Sequence, residues 1–286
     1  MKKSLLLVFL CLSEITFALH PYKPAVKVPQ KVDGKKLVFS EEFNYKGKPD
    51  TTIWNFEQGF KRNHELQWYQ SDNASCIDGR LIIEGRKENF PNPDFVAGSK
   101  DWRKNRELVN FTSSSITTAG KKSWLYGRFE VRARIDTTMG SWPAVWLLGS
   151  GSEWPSCGEI DMMEFYRYNN QSTIMANVGW GSKVRYKPVW NNFRIPLTDL
   201  LRKDKNWVKK YHVWRMDRTP AEIRLFVDDV LYNTTSLSET INADGSNPFT
   251  KPMYLILNLA LGSNGGTPDV TKFPLIFEID YVRVYQ

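Results

Sequence analysis

Apolar and polar residues alternate along much of this chain. Residues 81–84, 127–135 and 222–227 step between the two classes with a period of two, the repeat of a strand with one face in a core and the other in solvent. Asp228 and Asp229 supply a tight turn into residues 230–232, as in a β-hairpin. Residues 254–261 are apolar nearly throughout, which suits an interior strand. No long segment repeats every 3.6 residues. The pattern therefore predicts an all-β chain, a two-sheet antiparallel β-sandwich in which each sheet buries one face. Two segments break the rhythm. Residues 89–112 carry Pro91, Pro93 and the cations Lys100, Arg103, Lys104 and Arg106; residues 181–210 carry Lys183, Arg185, Lys187, Arg194 and a lysine-rich stretch. Both are read as long loops on the rim of a binding face, where a rigid sandwich carries its specificity.

The first residues read differently. Lys2 and Lys3 precede the apolar residues 5–10, and Thr16, Phe17 and Ala18 resemble a cleavage site. Residues 1–18 are thus expected to be a signal peptide, and the protein to be secreted or periplasmic. The apolar stretch is too short to span a membrane, and no other segment qualifies. Pro21, Pro24 and Pro29 mark residues 19–36 as an extended linker. Residues 37–286 remain for one catalytic domain, since no internal repeat or low-complexity tract signals another module.

The chemistry lies in residues 158–165. Glu159, Asp161 and Glu164 stand among Ile160, Met162, Met163 and Phe165, and buried carboxylates are costly unless paired or used. A strand directs Glu159 and Asp161 to one face and Glu164 to the other. One extra residue, taken up as a β-bulge at Met162 or Met163, returns Glu164 to the face of its partners. Two carboxyl groups astride a glycosidic bond are the minimum equipment for its hydrolysis, and close carboxyls push their pKa values apart. A calcium cage would favour Gly/Asn/Asp loops over this apolar setting. Catalysis by such acids needs no cofactor.

These residues resemble glycoside hydrolase family 16, the laminarinase, agarase and carrageenase group, whose nucleophile strand carries Glu-x-Asp-x-x-Glu. Similar stretches follow in the family's order: Phe39 to Phe43, Asn63 to Tyr69, Tyr126 to Arg132, Ser141 to Leu147 and Ile279 to Tyr285. The resemblance implies a curved jelly roll with a concave, open cleft, endo action, and a retaining mechanism. Glu159 would be the nucleophile, Asp161 its assistant and Glu164 the acid/base. It further implies cleft positions for Asn63, Trp142 and Trp146, and a structural calcium held by Asp280 with backbone oxygens near Glu42 and Gly85. Asp280 has a competing reading as an ordinary strand-edge acid.

Composition narrows the ligand. Eleven Trp and twelve Tyr suit sugar rings, whose C–H faces stack on aromatics. Trp180, near the acids, fits cleft and core equally. The net charge of +8 raises nucleic acid, but the charges are scattered among Asp and Glu, so none is expected. An anionic glycan suits the rim cations better. Cys76 and Cys157 lack a Cys–His context, and the few His and Cys residues show no zinc spacing; small buried fillers are expected. The expected protein is a monomeric endo-β-glycosidase acting on a poly- or oligosaccharide, with endo-β-1,3(1,4)-glucanase as the leading substrate reading. Residues 176–181 lack the histidine that many glucanases of the family carry after the acids, and Tyr166 to Tyr168 replace a small turn. An endo-β-galactosidase of mucin-type or algal glycans is therefore the alternative. A transglycosylase or a non-catalytic glycan-binding sandwich stays open beside them.

Overall fold

The computed structural model describes residues 28–286. The expected signal peptide and the first part of the expected linker lie outside them. Two sheets face each other, as the alternation predicts. The first has seven strands, running from edge to edge through Pro188–Pro196, Gln171–Gly181, Glu159–Tyr168, Ser141–Gly149, Met253–Leu261, Ser115–Thr117 and Asn55–Phe56. The opposing sheet has eleven, with His212–Arg218, Gly127–Arg134, Leu275–Tyr285 and Arg80–Pro91 side by side. Pairing is antiparallel except where Gln67–Tyr69 runs parallel to Leu108–Ser113, a short contact that period-two alternation does not reveal. Among the described residues, sheet structure begins with Lys31–Val32 paired to Lys35–Glu41, before the expected domain start at residue 37.

Each strand's alternation is cashed in between the sheets. On Gly127–Arg134, Phe129, Val131 and Ala133 are buried, while Glu130, Arg132 and Arg134 face outward. The outward row is tied by cross-strand ion pairs, Arg128 to Asp217 and Arg134 to Glu278. Trp54, Trp214, Phe165, Phe249 and Phe277 fill the interior. Ile160, Met162, Met163 and Phe165 anchor the acid strand there, at about 1.5–3 kcal/mol for each fully buried side chain.

The two basic segments are less loop-like than their composition suggests. The Arg80–Pro91 strand runs into the first, and Leu108–Ser113 closes it. Inside the second lies the strand Pro188–Pro196, followed by the short helix Leu197–Lys203. Phe193 and Ile195 pack on the core while Trp190, Asn192 and Arg194 point the other way. Alternation was present there, masked by the flanking lysines. Cys76 and Cys157 are both free and buried. Burial pushes their thiols up to about 12 and about 11, so neither is a nucleophile at neutral pH.

Candidate active site

The bulge is where the sequence places it. Asp161 opposes Asn177 and Glu164 opposes Met175, so three steps on the acid strand match two on its neighbour. Against the other neighbour, Trp146 opposes Asp161 and Val145 opposes Met163, which leaves Met162 as the extra residue. Met162 and Met163 both enter the core, and Glu164 thereby shares the outer face with Glu159 and Asp161. Gly158 immediately precedes them at φ +79, and a Cβ there would lie 2.8 Å from Pro248 Cβ. Only glycine allows that sharp entry into the strand.

Cross-strand registers align the outer face in rows. One row reads Asn258, Ala144, Glu164, Met175, Arg194; the next reads Ile256, Trp146, Asp161, Asn177, Asn192; a third reads Tyr254, Leu148, Glu159, Gly179, Trp190. They floor an open cavity of about 620 Å³, walled at one end by Arg62, Asn63 and Glu65 and at the other by Trp190 and Arg194. At Gly179 a Cβ would meet the Trp190 ring at 2.5 Å. The missing side chain lets that indole lie down on the sheet.

Each acid has its own donors. Trp154 Nε1 donates to Glu159 Oε2 at 2.5 Å, and Trp142 Nε1 to Glu164 Oε1 at 3.0 Å. Asn177 Nδ2 reaches both Asp161 (3.3 Å) and Glu164 (3.2 Å). Asp161 hydrogen-bonds to Glu159 and to Glu164, so one carboxyl bridges the outer two. Burial raises all three above the ordinary carboxylate range. Asp161 is pushed well above it, by burial first and then by the charges of Glu164 and Glu159. Glu164 is pushed up to about 7 by burial and the Glu159 charge, against the opposing bonds from Trp142, Asp161 and Asn177. Glu159 is raised by burial and held back by Trp154, Asp161 and the Arg62 charge. The three carboxyls titrate together, and charge on Glu159 favours protons on the other two.

Asn63 lies in the cleft, its Nδ2 donating to Glu65 at 3.2 Å. Trp142 and Trp146 line it too; the first holds Glu164, and the second donates to Asn258 Oδ1 at 2.7 Å beneath the Arg62 guanidinium. Trp180 does not. With Asn177 and Gly179 on the cleft face, strand parity turns Trp180 into the main core. The residues that sequence reasoning missed are Arg62, Glu65, Trp154, Asn177 and Trp190, while Arg194 was read only as one of several rim cations. The period-two spacing of 190, 192 and 194 was a signal of shared orientation.

The calcium set does not converge. Asp280 is ion-paired with Arg132, and Glu42 is gripped by two nitrogens of Arg283, each at 2.8 Å. Gly85 opposes Leu275 at the far end of the strand that carries Asp280, on the order of 16 Å away at ~3.3 Å per residue. Arg132 already balances the Asp280 carboxylate, and Gly85 lies too far from it for one ion to touch both. Among the described residues no group of three His, Cys, Asp or Glu is arranged to hold a metal.

Comparison with known proteins agrees with this geometry. The model of the glycosyl hydrolases family 16 matches residues 63–282. A beta-glucanase of Rhodothermus marinus is 36% identical over 88% of this chain and 85% of its own. The laminarinase structure from the same organism superposes with a TM-score of 0.71 at 35% identity, covering 88% of this chain and 97% of that one. A structure described with endo-acting O-glycanases, which prominent members of the human gut microbiota express to initiate mucin breakdown, reaches 0.81 at 34% identity over 91% and 94%. An acid strand bulged at Met162, an open cleft over a sandwich and this run of matches lead to one conclusion: the chain belongs to family 16 of the glycosyl hydrolases and is a glycoside hydrolase acting on O-glycosidic bonds.

Proposed function

We propose that this enzyme is a retaining endo-β-glycosidase of galactose-containing O-linked glycans of the mucin type. The observation that carries the substrate is the difference between 0.81 and 0.71 in TM-score at nearly equal identity: the backbone follows the O-glycanase more closely than the laminarinase. The cleft supports it. The strand after the acids offers Asn177 to the sugar and carries no histidine there, and the edge strand adds Trp190, Asn192 and Arg194. A β-1,3-glucan is the second reading, favoured by the 36% identity to the beta-glucanase.

Retention is read from the family's acid pattern, with Asp161 set between Glu159 and Glu164 and interacting with both. Retaining enzymes need about 5–5.5 Å, inverting ones roughly 6.5–9.5 Å. The ionised Glu159 attacks the anomeric carbon as the glycosidic C–O bond breaks, and Glu164 gives its proton to the departing oxygen. Glu164, now ionised, takes a proton from water; the water oxygen displaces Glu159 and restores both groups. Asp161 forms no bond to sugar and tunes both partners. The open cleft admits chain interiors, hence endo action.

Product sizing on mucin O-glycans, keratan, laminarin and agarose tests the substrate. Internal cleavage of the galactose-containing glycans is expected. Cleavage of laminarin alone would replace this reading by the glucan one.

A further inference from the structure

We propose that Arg194, seated on Tyr168 at the edge-strand end of the cleft, is an anion subsite that recognises a sulfate ester or a sialyl carboxylate on a sugar flanking the cleaved bond. The inference rests on the reading of this cleft as a glycan-cleaving site.

Two arginines line the cavity, Arg62 and Arg194. Arg62 is ion-paired with Glu57, whose Oε2 also accepts from Ser115 at 2.6 Å. That cation is neutralised within the protein. Arg194 is exposed, and among the described residues no carboxylate lies in ion-pair contact with it. Its guanidinium sits 4.1 Å over the centroid of the Tyr168 ring. Such a cation–π contact holds the flat group by its face and leaves its N–H edge turned outward. That edge is a fork suited to two oxygens of one anion. Glu164, Met175 and Arg194 share a row on adjacent strands, so the backbone of Arg194 lies two interstrand spacings, about 10 Å, from that of the acid/base, and its guanidinium reaches along the sheet to Tyr168. The distance is too long for proton chemistry on the reacting sugar and suits a substituent on the next one. The other polar side chains nearest Arg194 in the cleft, Asn177, Asn192 and Tyr166, are two amides and a phenol and supply no competing cation.

The test uses matched substrates: keratan oligosaccharides with and without sulfate, and mucin O-glycans with and without sialic acid. For the sulfated or the sialylated member, wild-type kcat/KM is expected on the order of tenfold above its neutral partner, the effect of about 1.4 kcal/mol from a charge-assisted bond. The preference should fall as salt rises. In Arg194→Ala the gap should close, and Arg194→Lys should restore only part of it. The same ratios are read as binding affinities in Glu159→Gln, which needs no turnover, with thermal unfolding to verify that each variant is folded. Equal affinity for charged and neutral partners with Arg194 present, or an unchanged gap in Arg194→Ala, overturns the subsite. Failure to cleave any galactose-containing glycan overturns the substrate reading instead, and the affinity ratios still decide on Arg194. Which pair responds separates sulfate from carboxylate.

Discussion

The two ends of the cleft are built on different principles. At one end Glu65 is buried and accepts from Gln67 (2.6 Å), Asn63 (3.2 Å) and Tyr69 (3.3 Å), while Tyr69 also accepts from Asn258 (3.0 Å). Arg62 stacks over Trp146 and Tyr69 and pairs with Glu57. Most polar groups there are partnered before a sugar arrives, Arg62 Nη1 being an exception. At the other end Asn192 and Arg194 stand exposed on a single strand. A site that must hold one sugar in one pose gains from the first construction, because interlocked partners fix each rotamer. A site that sorts among substituents can use the second. Shape is fixed at one end and charge is offered at the other.

The centre between them sets the scale for any test. Glu159→Ala should lower turnover by roughly four orders of magnitude or more, as loss of a nucleophile does. Azide should restore turnover with a product of inverted configuration. Glu164→Ala should keep activity on substrates with good leaving groups, and azide should then give a product of retained configuration. Inverted product from the unmodified enzyme would show the two roles misassigned.

Stability separates the ends next. Glu65→Ala strands buried donors, which costs about 1–3 kcal/mol, and should lower Tm by several degrees for a domain of this size. Arg194→Ala changes an exposed residue and should stay within about 0.5 kcal/mol of wild type. Equal Tm losses in the two variants would mean that the contrast drawn here is false.

Acidity gives a smaller effect. With Glu164 pushed up to about 7, kcat/KM should fall on the alkaline side near pH 7, where the acid loses its proton. In Glu159→Gln the second cause of that elevation is gone, so the Glu164 pKa should drop; carboxyl NMR titration would read it. Stability carries the same sign. A carboxyl whose folded pKa lies above its unfolded 4.5 stabilises fully below 4.5, and that contribution is lost as pH rises through about 7. Glu164→Gln should therefore gain Tm relative to wild type at pH 8 more than at pH 4. A pH-independent difference would contradict the assignment.

The smallest change is expected from Trp154→Phe. Trp154 rides on the segment before Glu159, whose neighbour Glu153 is clasped by Arg185 (2.9 and 3.1 Å) and Tyr186 from the turn leading into the edge strand. Removing its N–H takes away a bond that holds the Glu159 pKa down. The acid limb of the pH profile should move up by about half to one unit, from roughly 0.5–1.5 kcal/mol per hydrogen bond at 1.36 kcal/mol per unit. An unmoved limb would leave Trp154 a packing role alone.

The sequence made the sandwich, the three acids and the bulge legible, because strand period and the cost of burying carboxylates act locally. What escaped depends on which strand lies beside which. Trp180 was placed by its nearness to the acids, but its facing is fixed by parity counted from Asn177. Trp190 and Arg194 join the site only because their strand pairs with Gln171–Gly181. Gly85 and Asp280 are separated for the same reason: register along Leu275–Tyr285 sets Gly85 against Leu275, far from Asp280, which Arg132 pairs from the neighbouring strand.

One wall of the cleft is also the last strand of its sheet. Among the described residues Pro188–Pro196 has no strand on its outer side, and a bare strand edge invites another chain to pair with it. Proline closes both of its ends, removing backbone donors there. Across to the opposing sheet, Asn191 donates to Thr234 O and Thr235 Oγ1, both at 2.9 Å, and Asn233 donates back to Ala176 O at 2.9 Å. The two sheets are stitched together along this seam. The strand that meets the substrate thus carries, in its end prolines, features that work against edge pairing, so the segment that shapes recognition also bears on how the protein behaves at high concentration.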